Sequence, residues 1–191
     1  MTDASRSFRT YWRIGIIFIL GFASGLPLAL TGQAMQAWLT VDKIDIATIG
    51  FFSLVGVPYT FKFLWAPLMD RFEPPLLGRR RGWLVLSQLA IAAALFLMSS
   101  LSPSQNTETF ALVAVLVAFL SASQDIVIDA YRTDILHPSE RGIGSSFNVF
   151  GYRLAMILSG GIAFVWADTV SGNGWPWSKI YMIMAFIMIG A

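Results

Sequence analysis

Residues 110–130 read FALVAVLVAFLSASQDIVIDA. The stretch holds no charge until Asp125, and its 21 residues make about 31 Å of helix at ~1.5 Å per residue. A bilayer core is roughly 30 Å thick, so the stretch is long enough to cross one. In lipid every backbone polar group must be satisfied within the segment or by a closed barrel, and the run is too long and too uniformly apolar for a barrel strand. Working outward, similar blocks occupy Ile14–Leu39, Ile46–Met69, Trp83–Leu101, Gly142–Ala167 and Trp177–Ala191. The chain is therefore expected to be all-α, a polytopic membrane helical bundle.

Composition agrees. Of 191 residues 56% are hydrophobic and 13% charged, against about 25% charged in soluble domains. A net charge of +2 is too small to argue for nucleic acid. Cysteine is absent, which excludes disulfides and thiolate metal sites. The first block is too long for a signal-peptide core and is expected to remain as the first span.

Nine of the thirteen Lys and Arg residues lie on one set of loops: Arg6, Arg9, Arg13, Arg71, Arg79, Arg80, Arg81, Arg132 and Arg141. The opposite loops hold Lys43 and Lys179. The positive-inside rule then places the N-terminus and the loops after spans two and four in the cytoplasm. Trp12, Trp38, Trp83, Trp175 and Trp177 fall near the expected interfaces, where aromatic belts form. From Trp177 to Ala191 there are fifteen residues, about 22 Å of helix, so the chain is expected to stop inside its sixth span.

Several spans carry small-residue ladders. Gly21 and Gly25 permit a close helix approach, and Pro27 is expected to kink span one. Ala114, Ala118 and Ala122 in span four, and Gly151, Ala155, Ser159, Ala163 and Ala167 in span five, suggest tight packing. Span two contains Gly50, Gly56, Pro58 and Pro67. Span three has Gln88 as its one strongly polar interior residue and is expected to face lipid most.

Ionisable residues inside a membrane are costly, and each is a functional candidate by default. Here they are Lys62, Asp125, Asp129 and Arg153. Ser121, Asp125 and Asp129 recur every four residues and share a face of span four with Ala118 and Ala122, a face expected to point into the bundle. Counted from the basic boundary at ~1.5 Å per residue, Asp125 lies about 10 Å deep, Lys62 about 12 Å and Arg153 about 16 Å. One layer thus holds both signs of charge, and either Lys62 or Arg153 can pair with Asp125. Such a group either lines a transport path, as a proton carrier or an anion holder, or is a structural ion-pair network. A fully paired carboxylate is a poor proton carrier. Gln33, Gln36, Tyr59, Gln124, Asn148 and Tyr152 could add polar and aromatic surface to a central cavity.

The loop after span two, Ala66-Pro67-Leu68-Met69-Asp70-Arg71 with Gly78-Arg79-Arg80-Arg81, resembles a signature of the major facilitator superfamily: Gly, three residues, Asp-Arg, one residue, Gly, then basic residues. It departs in having Ala66 for the first Gly and Phe72 to Leu77 for the single spacer. An Asp at a helix end can pair with Arg and with the N-terminus of another helix, latching the basic face.

Four stretches, Gly21-Phe22-Ala23-Ser24-Gly25-Leu26-Pro27, Phe61-Lys62-Phe63-Leu64-Trp65-Ala66-Pro67-Leu68-Met69-Asp70-Arg71, Ser123-Gln124-Asp125-Ile126-Val127-Ile128-Asp129-Ala130-Tyr131-Arg132-Thr133-Asp134 and Gly151-Tyr152-Arg153, resemble the muropeptide permease (AmpG) family. The resemblance covers nearly the whole chain, and the acetyl-coenzyme A transporters share parts of it. It implies a secondary transporter in the bacterial inner membrane and no cofactor or metal. Protons would drive import of anhydro-muropeptides (GlcNAc-anhydroMurNAc with or without peptide) for cell-wall recycling, traffic that also influences β-lactamase induction. It implies a role for Asp125 in transport. It also implies the N-terminal six-helix half of a facilitator fold built from 3+3 inverted repeats, with a further half beyond this chain. The alternatives are a carrier of another anion such as acetyl-coenzyme A, or a membrane-embedded enzyme with a metal on Asp125, Asp129 and Asp134.

Overall fold

The first apolar block folds into one long rod. The computed structural model describes residues 3–74, 78–170 and 172–191, with side chains from residue 9 onward. Arg6, as a side chain, and residues 75–77 of the long spacer lie outside the described residues. Within the rod, α1 (Asp3–Ala29) passes through a π-helical turn at Leu30–Ala34 into α2 (Met35–Val41). The helix continues through Pro27, the residue expected to bend it, and breaks at Gly32 instead (φ −98°, ψ −109°). The break is held from outside. The Leu30 carbonyl accepts from the Met35 amide, five residues on, and from the hydroxyl of fully buried Tyr181 at 2.6 Å. The Thr31 hydroxyl donates to the Pro27 carbonyl at 2.9 Å. Tyr181→Phe is expected to cost about 1 kcal/mol, the net worth of one hydrogen bond, because Met35 still satisfies the carbonyl. Thermal unfolding of the detergent-solubilised protein reads this, and an unchanged midpoint would mean the turn is held elsewhere.

The second block is segmented. It comprises α3 (Ile46–Phe52), a 3₁₀ turn at Ser53–Gly56, α4 (Val57–Phe61), a 3₁₀ turn at Lys62–Leu64 and α5 (Ala66–Arg71). Asp45 caps α3, accepting from the Thr48 amide at 2.9 Å and the Thr48 hydroxyl at 2.5 Å. The hydroxyl first, then the amide, holds this loop carboxyl below its usual range. Pro58 and Pro67 begin α4 and α5, where a missing N–H leaves nothing unsatisfied, so they start segments rather than kink one helix. The remaining elements are α6 (Arg79–Ser99), α7 (Thr107–Ile135), α8 (Arg141–Ala167) and α9 (Trp177–Gly190). Among the described residues five helical stretches are long and apolar enough to cross a membrane, and α9 is a shorter apolar helix.

Helices in lipid gain little from apolarity alone and associate through close packing. The seam between α1 and α8 follows that rule. The two run parallel, with Gly21 against the Asn148 carbonyl, Gly25 against the Tyr152 carbonyl and Gly151 against the Phe18 carbonyl. Ala114, Ala118 and Ala122 are fully buried, as are Ala155 and Ala163, with Ser159 nearly so. The core lies toward the other end of the bundle, where Trp38 meets the Phe110 ring edge-on at 5.1 Å and the Tyr181 ring at 4.9 Å.

Two expectations change here. Trp38 and Trp177 are only 4% and 6% exposed, so they are core aromatics; their faces of α2 and α9 turn onto Phe110, Tyr181 and Phe164. Nor is the third span the most open. A face of α6 bearing Ser87, Ile91, Leu95 and Met98 is buried, with α7 and α9 packed against this helix. Its Gln88 amide donates to the Met188 carbonyl and accepts from Gln124. The second span is the open one, with 11% of its apolar window buried against 44% for the third.

Candidate transport site

Helix α7 turns Ser121 inward one turn before Asp125, and Ser121, Ala118 and Ala122 have no exposed surface. Asp125 stands on this buried run with its side chain 13% exposed. The Lys62 ammonium reaches it from the second 3₁₀ turn of span two, Nζ to Oδ2 at 3.6 Å. The Ser24 hydroxyl, beside Gly25 on α1, donates to Oδ1. Spans one, two and four therefore converge on one carboxylate. Of the two cations able to neutralise Asp125, the fold uses Lys62. Asp125 lines a cavity of about 240 Å³ together with Ser24, Ile128, Asp129, Asn148, Val149 and Tyr152.

The other anticipated residues scatter around this centre. Asp129 is exposed on the cavity rim and pairs with Arg132 on its own helix at 3.2 Å. Tyr59 and Ser121 bring buried hydroxyls that have no hydrogen-bond partner within 3.5 Å among the described residues. Gln124 turns the other way, donating to Gln88 on α6. Gln36 is exposed on α2 and lines neither this cavity nor the next one. Arg153 and Gln33 line that next cavity, of about 570 Å³, further along the α1–α8 seam. Asp125, Asp129 and Asp134 each face a different cation, Lys62, Arg132 and Arg80, so the three acids do not converge as metal ligands would.

The basic end is laced together. Arg80 donates from Nη1 to Asp70 Oδ1 at 2.6 Å and from Nε to Asp134 Oδ2 at 3.0 Å, joining the ends of spans two and four. Arg79 donates to the Asp70 carbonyl at 3.2 Å, and its backbone amide to Glu73 at 3.0 Å. Gly78 precedes α6 at φ +76°, ψ 167°, a conformation open essentially to glycine alone. Arg71 and Arg81 are exposed. A second link ties the N-terminal rod to the loop after span four: Glu140 accepts from Thr10 at 2.5 Å and from Arg13 at 3.4 Å. The N-terminus and both basic loops thus share one end of the bundle. Sequence reasoning overlooked Ser24, Asp134 and Glu140 as partners. None carried a local signal: Asp134, nine residues after Asp125, stands about half a turn round the helix from it, which suits it to a different partner. Because its partners are half exposed, Arg80→Ala is expected to cost only about 1 kcal/mol, and less at high salt, on the same thermal measurement.

Comparison with known proteins fits this arrangement. Residues 13–171 match the family model described as Acetyl-coenzyme A transporter 1. The chain is 54% identical over 177 residues to the anhydromuropeptide permease of Escherichia coli K12, covering 93% of this chain and 35% of that protein. It is 35% identical over 187 residues to putative transporter AmpG 4 of Rickettsia conorii, covering 96% of this chain and 45% of that protein. The chain thus spans less than half the length of these relatives. The relatives bear the names of permeases and transporters, not of enzymes, and the apolar helices make this a multi-pass membrane protein. The chain belongs to the transporter family described as Acetyl-coenzyme A transporter 1, and its kinship there is with the anhydromuropeptide permeases (AmpG).

Proposed function

We propose that the protein to which this chain contributes is a proton-driven importer of anhydro-muropeptides, carrying GlcNAc-anhydroMurNAc with or without peptide from periplasm to cytoplasm across the bacterial inner membrane. The observation that carries the reading is the Lys62–Asp125 pair, set where three spans meet with its carboxylate lining a cavity, in a chain 54% identical to an anhydromuropeptide permease. Asp125 is the proton-coupling group: its pair is long, at 3.6 Å, with an ammonium 34% exposed, short of the full pairing that would keep the carboxylate from taking a proton. Protonation discharges it, breaks the pair, leaves the Ser24 hydroxyl free to rearrange and releases Lys62 toward the cavity. Deprotonation restores the pair. Such a site has two discrete electrostatic arrangements, which is what coupling an ion to a change of access requires.

In this reading the chain is the N-terminal half of a facilitator fold, spans 1–3 and 4–6 its inverted repeats, with the N-terminus in the cytoplasm. The Arg80 bridge to Asp70 and Asp134 then latches the cytoplasmic side, and this half rocks against a second one. A carrier of acetyl-coenzyme A is the second reading, favoured by the description of the family model alone. The deciding experiment measures uptake of labelled anhydro-muropeptide by permease-deficient cells expressing the full-length protein, with and without a protonophore and with unlabelled acetyl-coenzyme A as competitor. Protonophore-sensitive uptake that acetyl-coenzyme A leaves untouched supports the first reading. Absent uptake by a correctly inserted protein would sink it.

A further inference from the structure

Arg153 is the other membrane cation, and the fold leaves it exposed. Among the described residues it takes part in no ion pair, although it sits mid-helix in an apolar span where an unaccompanied charge is costly. It opens instead on the larger cavity of the α1–α8 seam, about 570 Å³, with Gln33, Gly32, Gly160, Gly161 and Phe164. The three glycines there differ from those that close the seam nearer the N-terminus. A Cβ added at Gly32, Gly160 or Gly161 would meet nothing within 4 Å, so these residues keep a space open rather than bring helices together. Across from Arg153 the rod is broken by the π turn at Leu30–Ala34, and Gln33 emerges from that break. Irregular backbone at membrane depth is tolerated where it lines a cavity, and broken helices recur at the solute sites of transporters.

We infer that Arg153 and Gln33 form a solute-recognition subsite for a carboxylate, separate from the Lys62–Asp125 pair. The inference rests on the transporter reading and adds where the anionic group goes. A guanidinium is a planar fork that matches a carboxylate with two parallel N–H···O bonds, and an acid entering the cavity supplies the counter-charge that the described residues do not. The Gln33 amide can donate to and accept from hydroxyls or amides beside that acid, and Phe164 offers an apolar face to a sugar ring. Tyr152 lines the smaller cavity and Arg153 the larger, so a solute gripped by Arg153 lies one residue along α8 from the coupling site.

The test uses purified full-length protein and two probes, GlcNAc-anhydroMurNAc with its free lactyl carboxylate and the methyl ester of the same molecule. Wild type should bind the acid at least about tenfold more tightly than the ester by calorimetry, a difference of about 1.4 kcal/mol. R153Q should abolish that preference by weakening the acid alone, and R153K should retain part of it. In uptake assays R153Q should raise KM for the acid while leaving the maximal rate close to wild type. Equal wild-type affinity for acid and ester overturns the subsite and needs no variant to be folded. So does an R153Q protein that weakens both probes alike, or a wild type that binds neither. A wild type that prefers the acid yet moves none of it would sink the transport reading and leave the subsite standing.

Discussion

Asp125→Asn should abolish proton-driven accumulation while leaving exchange of solute across the membrane largely intact. The amide keeps the size of the carboxylate and can still accept from the Ser24 hydroxyl, so the junction of spans one, two and four retains its shape. It cannot lose or gain a proton at physiological pH, so the Lys62 pair is removed permanently and the site is held in its discharged arrangement. The initial rate of accumulation should fall by about two orders of magnitude, equivalent to about 2.7 kcal/mol. Counterflow, in which internal unlabelled solute exchanges for external label, needs no net proton movement and should survive. A purely structural pair makes the opposite forecast: Asp125→Asn would lower the thermal midpoint and depress accumulation and exchange together, and Lys62→Gln in the same protein would restore both by removing the orphaned cation. With the Lys62 side chain 34% exposed, that orphan is partly solvated, so the stability loss from the single change should be small. Normal accumulation by Asp125→Asn would remove this carboxylate from the coupling step.

What could be read in advance follows from which properties are periodic or additive. Span positions come from summed apolarity, and the face carrying Ser121 and Asp125 comes from the fixed angle between residues on a helix. Depth is also additive, which put Lys62 and Arg153 within reach of Asp125. Choosing between them depends on how helices rotate against one another, and no local pattern encodes that. The bend in span one moved from Pro27 to Gly32 for a similar reason: the donor that stabilises the break is Tyr181, 151 positions along the chain. Ser24 had no candidate role in the sequence, and its contact with Asp125 became visible only once Gly21 and Gly25 had fixed α1 against α8. Gln124 belonged on paper to a cavity, but the neighbour able to satisfy its amide is Gln88 on α6. Trp38 and Trp177 lay at the right depth for a belt, yet depth says nothing of direction around the helix, and both turn inward.

The seam that positions Ser24 should be the least tolerant part of the chain, and Gly25→Ala is expected to destabilise it most for its size. A Cβ at Gly25 would stand about 3.0 Å from both the carbonyl carbon and the Cα of Tyr152, and closer still to that carbonyl oxygen. These are backbone atoms of a helix and cannot swing aside as a side chain end would. Relief requires α1 and α8 to move apart, losing the contacts at Gly21 and Gly151 as well. Overpacking of this kind costs about 1–3 kcal/mol where side chains can adjust, and the rigid neighbour places this case at or above the top of that range. The gain in helix propensity from Gly to Ala offsets at most about 1 kcal/mol. Gly15→Ala is the matched control, since a Cβ there meets nothing within 4 Å on the same helix. It should leave the thermal midpoint unchanged or raised, while Gly25→Ala lowers it. The same displacement would carry Ser24 away from Asp125 and Tyr152 away from the cavity, so accumulation should fall even in the fraction of Gly25→Ala protein that remains folded. Equal behaviour of the two variants would mean that the α1–α8 approach is looser than its glycines imply, and Ser24 would then owe its place to something other than this seam.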